Sequence, residues 1–317
     1  MKSLKIGILG LGTVGGGTYT ILTQNKEIME KRTGCDIEVV KILDRYKRPG
    51  VPEYLYTENP DEILNSPDID LVVETLGGIE PACSFMLQAM EHGKHVVTAN
   101  KAAVAANYEK LQETAKKNNV KFLFEASVGG GIPVLTAMQN ALEGNYFLEV
   151  KGILNGTTNY ILTKMTEEGA DYADVLKDAQ QKGFAEADPT ADVEGIDVAN
   201  KLSILIALAF DKYIAPTDIP TTGISKITKA DIEEAAAQGC KIKLIAHASL
   251  NDDGTIDCHV APEKLPVAHP LAGVSNEFNA VYITGDMVDE VMFYGKGAGA
   301  LPTGSAIVGD ILSIARA

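Results

Sequence analysis

A short apolar run followed at once by spaced glycines constrains this chain more than any other feature. Leu4–Leu9 reads LKIGIL, the grain of a buried parallel strand. Gly10-Leu11-Gly12-Thr13-Val14-Gly15 comes directly after it, and a helical stretch runs from there to about Lys31. In that setting Gly10 permits a tight turn, Gly12 lets backbone approach a pyrophosphate, and Gly15 lets helix and strand pack closely. Thr13 and Val14 open the helix, whose N-terminus then faces phosphate charge. A GxGxxG alone is a weak signal. The strand before it and the helix after it supply the confirming context, against a merely glycine-rich turn. Gly16 and Gly17 extend the run without adding a specific signal.

The next strand, Ile37–Leu43, ends at Asp44-Arg45-Tyr46-Lys47-Arg48. An acid at that strand end takes the ribose hydroxyls of NAD, whereas arginine or lysine accommodates the 2′-phosphate of NADP. Asp44 points to NAD(H); Arg45, Lys47 and Arg48 point to NADP(H). Three cations together are a local exception in a chain of formal net charge −15, so NADP(H) is favoured and NAD(H) stays open. The plain alternative is a charged surface turn leading into Pro49-Gly50.

Alternation continues. Strands at Leu71–Glu74, His95–Thr98 and Phe122–Glu125 are separated by helices near Ala82–Glu91 and Val104–Asn118. The pattern predicts an α/β fold, with a doubly wound, Rossmann-type dinucleotide-binding domain over residues 1–131. Ligands in such sheets sit at the carboxyl ends of the strands. Three loops therefore converge there: 74–78, which carries Thr75, then 98–101 and 125–131. Lys101, just past a strand end, is placed to reach nicotinamide or substrate; a solvated first-turn lysine is the alternative.

The Gly129-Gly130-Gly131-Ile132-Pro133 run marks a boundary. Beyond it, helices at Pro133–Leu142, Asn159–Glu168 and Tyr172–Gln181 mix with alternating strands at Leu148–Leu154, Lys241–Leu250, Thr255–Val260 and Asn279–Ile283. These predict an α+β substrate-binding and dimerisation domain over 132–295, built on a mixed sheet. Residues 296–317, with a helix from Gly304 to Ala315, are expected to return to the first domain.

Within the second domain, residues 183–201 read GFAEADPTADVEGIDVANK. The helical reading starts at Val193, so Asp197 and Lys201 lie four apart on one face. Glu186 lies upstream of the Asp188–Pro189 turn and can fold back toward that face. Two acids beside one lysine make a site for an ammonium-bearing small molecule with a proton donor in reach. The plain reading is a solvated helix with an ordinary charge pair.

Bulk properties narrow the classes. The 317 residues, 45% hydrophobic and 22% charged, are those of an ordinary globular chain of about two domains. No basic stretch forms a nucleic-acid footprint, no apolar run has membrane-spanning length, and the N-terminus enters a strand without a signal peptide. A cytoplasmic enzyme is expected. Cys35, Cys83, Cys240 and Cys258 lack metal-ligand spacing, and the five histidines are dispersed, which argues against a structural zinc site. Cys83, after Pro81 at a helix start, is the one candidate nucleophile, though a small buried residue is the simpler reading.

GLGTVG (10–15), TANKA (98–102), EASVGGGIP (125–133), ILNGTTNYILTKM (153–165), GFAEADPTADVEGIDVANK (183–201) and FYGKGAGALPT (293–303) together resemble homoserine dehydrogenases, in that family's order and over nearly the whole chain. The resemblance implies NAD(P)-dependent interconversion of L-aspartate 4-semialdehyde and L-homoserine, in threonine and methionine biosynthesis. It implies Lys201 as the catalytic lysine, with Lys101 as a second active-site lysine. Glu186, Asp192 and Asp197 are implied as substrate-binding acids, and Gly183 and Gly299 as glycines facing cofactor or substrate. It further implies a homodimer and a sodium ion held by the backbone carbonyls of Glu125, Val128, Gly130 and Ile132. Many bacterial members carry a further ACT-type regulatory domain, which these 317 residues are not expected to include. Two rivals remain at this stage. A thioester-forming semialdehyde dehydrogenase would need a cysteine–histidine pair. A non-catalytic NAD(P)-sensing protein would need no Glu–Asp–Lys constellation.

Overall fold

Leu71, Val72, Val73 and Glu74 are all buried, as are Val96, Val97 and Thr98, so these strands are covered on both faces. Coverage of that kind is what an all-parallel sheet requires. The computed structural model describes residues 2–317, in two compact units: one reaching to Gly131 and including Ala298–Ala317, the other Ile132–Gly297.

The first unit runs β1 (Lys2–Leu9), α1 (Thr13–Gln24), α2 (Lys26–Thr33), β2 (Cys35–Leu43), β3 (Tyr56–Thr57), α3 (Asp61–Leu64), β4 (Leu71–Glu74), α4 (Ala82–Glu91), β5 (His95–Thr98), α5 (Lys101–Ala106), α6 (Tyr108–Lys117) and β6 (Phe122–Leu123). Its sheet has the order β3-β2-β1-β4-β5-β6 and every pairing is parallel. The order reverses between β1 and β4, the switch point at which such sheets bind ligands.

The second unit runs α7 (Val134–Thr136), continued by a π-helical turn over Ala137–Ala141, then β7 (Phe147–Ile153), α8 (Gly156–Glu168), α9 (Tyr172–Gln181), α10 (Thr190–Val193), α11 (Ile196–Phe210), α12 (Lys229–Ala237), β8 (Cys240–Leu250), β9 (Ile256–Pro266), β10 (Phe278–Gly285) and β11 (Asp289–Lys296). Its sheet, ordered β11-β10-β7-β8-β9, is antiparallel at every strand pairing rather than mixed. Each neighbouring pair runs in opposite directions whether joined by a turn or by the α8–α12 excursion, and the sole parallel element is an isolated bridge from Thr221 to Val260. Helices α8, α11 and α12 pack against this sheet.

The last element, α13 (Ala300–Arg316), belongs to the first unit. Its Ile307, Val308, Ile311 and Ile314 join Ile6, Ile8, Leu71, Val73 and Val97 in one buried cluster. Here the extra glycines acquire a purpose: a Cβ at Gly17 would collide with the Ala300 carbonyl. Close contact between α1 and α13 depends on that missing side chain.

Several boundaries move. The helix expected from 13 to 31 breaks at Asn25, and the one from 104 to 118 breaks at Asn107. The strand expected over Phe122–Glu125 gives way after Leu123 to a 3-10 turn over Glu125–Ser127. Strand β11 and helix α12 were not legible in the pattern.

Candidate active site

In the first unit the glycine loop is held open by its neighbours. Gly10 has φ +90°, a left-handed conformation that glycine adopts without strain. Its carbonyl accepts from Thr75 Oγ1 at 2.7 Å, and the same hydroxyl also reaches the Leu9 carbonyl at 3.1 Å. A Cβ at Gly15 would strike the Gly10 carbonyl, whereas one at Gly12 would meet nothing within 4 Å. Thus Gly15 is glycine for packing, and Gly12 leaves the loop open to an approaching phosphate. Thr13 and Val14 form the first turn of α1 beside it.

Asp44 does not stand free at the end of β2. Its carboxylate accepts from Leu11 N at 2.6 Å and Tyr46 N at 2.9 Å, which ties the turn to the glycine loop. Among the neighbouring cations, Lys47 pairs with Glu53 at 2.9 Å. Arg48 Nη1 donates to the Gly12 carbonyl at 3.0 Å, and its guanidinium occupies the space a Cβ on Gly16 would need. Arg45 is exposed and lines a cleft of about 450 Å³ with Gly10, Asp44, Tyr46 and Leu76. An open glycine loop beside a cleft at the strand ends fits a dinucleotide.

Glu74, at the end of β4, is fully buried. Its carboxylate accepts from Leu76 N at 2.7 Å and Thr98 Oγ1 at 2.5 Å, with Asn100 Nδ2 at 3.5 Å. Burial pushes this carboxyl above the usual range while those donors pull it back. Asn100 in turn donates to the Gly78 carbonyl at 2.7 Å and caps α5 by accepting from Ala103 N at 3.1 Å. Lys101 is the first residue of the helix so capped, half-buried rather than solvated. The network joins the 74–78 loop to the turn that carries Lys101.

Glu125, Val128 and Gly130 lie in the loop after β6, with Glu125 and Val128 buried. The Glu125 backbone N–H donates to Asp310 of α13 at 3.0 Å. Burial, followed by the nearby Glu125 charge, raises the Asp310 carboxyl to about 8. Gly299 caps α13 at φ +120°. Ile132, buried, opens the second unit.

In the second unit the helix expected from Val193 is interrupted. Thr190–Val193 forms α10, Gly195 turns the chain at φ 82°, and α11 starts at Ile196. Asp197 therefore sits in the first turn of α11, where the helix dipole favours its negative charge. Lys201 Nζ donates to Asp197 Oδ2 at 2.7 Å and to the Leu154 carbonyl at 2.6 Å. Both side chains are buried, with exposures of 9% for Lys201 and 7% for Asp197. This removes the solvated-helix reading. A charge pair taken out of water loses hydration that its own attraction does not reliably restore, so it is a weak stabilising device. Such a pair is instead a candidate for chemistry.

Asn155, in the loop between β7 and α8, completes the cluster. Its Nδ2 donates to Asp192 Oδ1 at 2.7 Å and to Asp197 Oδ2 at 2.9 Å. Asp192 thus joins the Asp197–Lys201 pair through an amide that the sequence reading did not single out. The available signal was an asparagine at the head of a helix before Gly-Thr-Thr, an N-cap pattern. Glu186 and Gly183 lie on the exposed loop after α9, where the Glu186 carbonyl accepts from Gln180 Nε2 at 3.1 Å. Thr157 Oγ1 ties that loop to α8 by donating to the Phe184 carbonyl at 2.6 Å.

The thioester alternative loses its nucleophile. Cys83 is 1% exposed, and burial, then the Glu80 charge, push its thiol up and away from the reactive thiolate. Among the described residues, no group of three or more His, Cys, Asp or Glu could hold a metal ion. No described helix is long and apolar enough to cross a membrane.

Comparison with known proteins agrees with this geometry. Residues 10–125 match the family described as homoserine dehydrogenase, NAD binding domain, and residues 133–312 match homoserine dehydrogenase. A homoserine dehydrogenase of Bacillus subtilis is 42% identical over 320 aligned residues, covering 100% of this chain and 74% of that protein. The crystal structure of one from Thiobacillus denitrificans superposes with a TM-score of 0.96 at 43% identity, covering 100% of this chain and 74% of that one. A hyperthermophilic archaeal homoserine dehydrogenase solved in complex with NADPH has a TM-score of 0.82 at 28% identity, covering 98% of this chain and 97% of that one. The chain belongs to the homoserine dehydrogenase family.

Proposed function

We propose that Lys201 is the acid–base residue of this NAD(P)-dependent homoserine dehydrogenase. The observation that carries the assignment is the buried ion pair with Asp197, fixed further by the Leu154 carbonyl. Bound nicotinamide supplies or accepts the hydride. As L-aspartate 4-semialdehyde is reduced, the Lys201 ammonium stabilises charge growing on the carbonyl oxygen and gives it a proton. In the oxidation of homoserine, the neutral amine takes the hydroxyl proton. Asp197, Asp192 and Glu186 hold the substrate α-ammonium by charge-assisted hydrogen bonds. Gly183, without a side chain, leaves room on the loop beside Glu186. The test is Lys201→Ala. Hydride transfer should fall on the order of 10²–10⁴-fold while the variant still folds and binds NADPH, with a lower melting temperature because the buried Asp197 carboxylate loses its counter-charge. Near-wild-type turnover removes Lys201 from the mechanism.

NADP(H) is the preferred cofactor in this reading, with Arg45 meeting the 2′-phosphate and NAD(H) as the lesser partner. Gly12, Thr13 and Val14 meet the pyrophosphate; Gly10 and Gly15 shape that cofactor-binding loop, and Asp44 and Thr75 brace it. Lys101 and Gly299 serve the nicotinamide side. Family resemblance supports a sodium ion on the carbonyls of Glu125, Val128, Gly130 and Ile132. Loss of activity when sodium is exchanged for choline, and its return with sodium, is the expected result; indifference to the exchange removes the ion. A homodimer formed through the antiparallel sheet is supported by its edge strand β11, where Met292 and Tyr294 remain 41% and 53% exposed.

A further inference from the structure

We propose that Asn155 is a positioning residue that sets the geometry and charge of the Asp192–Asp197–Lys201 cluster. The inference rests on Lys201 being the acid–base residue. Asn155 lies outside the acids and lysines, yet its amide is committed at both ends. Oδ1 accepts from Thr158 N at 2.9 Å and Thr158 Oγ1 at 3.1 Å, the N-cap of α8. With the oxygen held there, the amide can turn only its nitrogen toward the acids. That nitrogen carries two hydrogens, and both are used: one on Asp192 at 2.7 Å, one on Asp197 at 2.9 Å. Asn155 is itself 5% exposed, so water is a poor substitute for either bond.

Two consequences follow. A donor placed between two carboxylates lets both stay ionised and close, where they would otherwise repel each other. The Asp197 oxygen that Asn155 fixes is also the one that receives Lys201 Nζ. The start of α8 therefore sets the position of the lysine through a chain of three side chains, and small displacements of a reacting group cost on the order of 10²-fold in rate.

Capping and positioning make opposite forecasts for substitution. Aspartate and serine cap helices about as well as asparagine, and alanine does not. A residue that only caps gives Asp and Ser variants like wild type and an impaired Ala variant. A positioning residue gives the reverse for Asp, since Asn155→Asp keeps the cap but sets a third carboxylate against the other two. We expect Asn155→Asp to bind NADPH normally, to melt below wild type because three buried carboxylates then face one another, and to lose about 10²-fold in kcat/KM for homoserine, through both kcat and KM. Asn155→Ser should fall between in activity, and Asn155→Ala, which loses the cap, should be less stable than wild type but more active than Asn155→Asp. Asn155→Ser also provides the answer should the aspartate variant fail to fold: wild-type kcat and KM in that folded variant overturn the assignment, as does wild-type turnover of Asn155→Asp. Lys201→Ala, assayed alongside, separates the two readings. If it is inactive while Asn155→Asp is normal, only the Asn155 role falls; if it is active, both fall.

Discussion

Asp197 and Glu186 are both acids assigned to the substrate ammonium, but their surroundings make them different experiments. Asp197 is buried against Lys201; Glu186 is exposed on a loop. Asp197→Ala leaves a buried ammonium without its counter-charge, at a cost of about 3–5 kcal/mol. Glu186→Ala deletes a charged contact worth roughly 1.5–3 kcal/mol to the substrate and nothing in the fold. We therefore expect Glu186→Ala to raise KM for homoserine with an unchanged melting curve, and Asp197→Ala to lower both activity and melting temperature. Melting curves that do not separate the two variants would contradict the burial argument. The Asp197–Lys201 pair was legible in the sequence because a helix turns four-residue spacing into contact. Asn155 was not, because its bonds span 37 residues to Asp192 and 42 to Asp197. Only tertiary folding brings them together.

At the scale of elements, the proposed preference for NADP(H) rests on the β2 turn. Four charged side chains fall within 44–48, and the fold gives them separate surroundings. Asp44 is bonded to the glycine loop, Lys47 to Glu53, and Arg48 to the Gly12 carbonyl. Arg45 is left facing the cleft. Arg45→Ala should raise KM for NADPH about tenfold or more and leave NADH nearly unchanged, since the lost partner is the 2′-phosphate. Equal losses with both cofactors would return Arg45 to the role of a solvated turn residue. Strands β1, β4 and β5 were legible because strands buried on both faces read as continuous apolar runs; β2, only partly buried, was legible from Ile37–Leu43 and the charged turn that ends it. Strand β11 was not. Its side chains alternate only between exposed and half-buried, so DEVMFYGK carries no clean apolar face. Helices that split at Asn25 and Asn107 read as continuous because apolar periodicity passes through such short breaks.

At the scale of the whole molecule, the two sheets present different problems. Both end in edge strands, which proteins must cover or protect, but the edges of the parallel sheet, β3 and β6, are two residues long, whereas those of the antiparallel sheet, β11 and β9, are eight and eleven. A second copy of the chain is the proposed cover for β11. Sedimentation should give twice the mass of 33.7 kDa, and Tyr294→Glu should shift it toward that single mass. A wild-type chain that sediments as an active monomer overturns the proposal. The first unit breaks off at Gly131, the end of the glycine run at 129–131; the direction of every pairing in the second sheet was not legible, because alternation fixes a strand's faces and not its neighbour. A last consequence concerns how the chain is made. Helix α13 supplies Ile307, Val308, Ile311 and Ile314 to the core of the first unit, yet it leaves the ribosome after the whole of the second. Synthesis therefore delivers a nearly complete cofactor domain that must wait, its α1 flank uncovered, through 166 intervening residues, Ile132 to Gly297. The part translated first is the part that closes last.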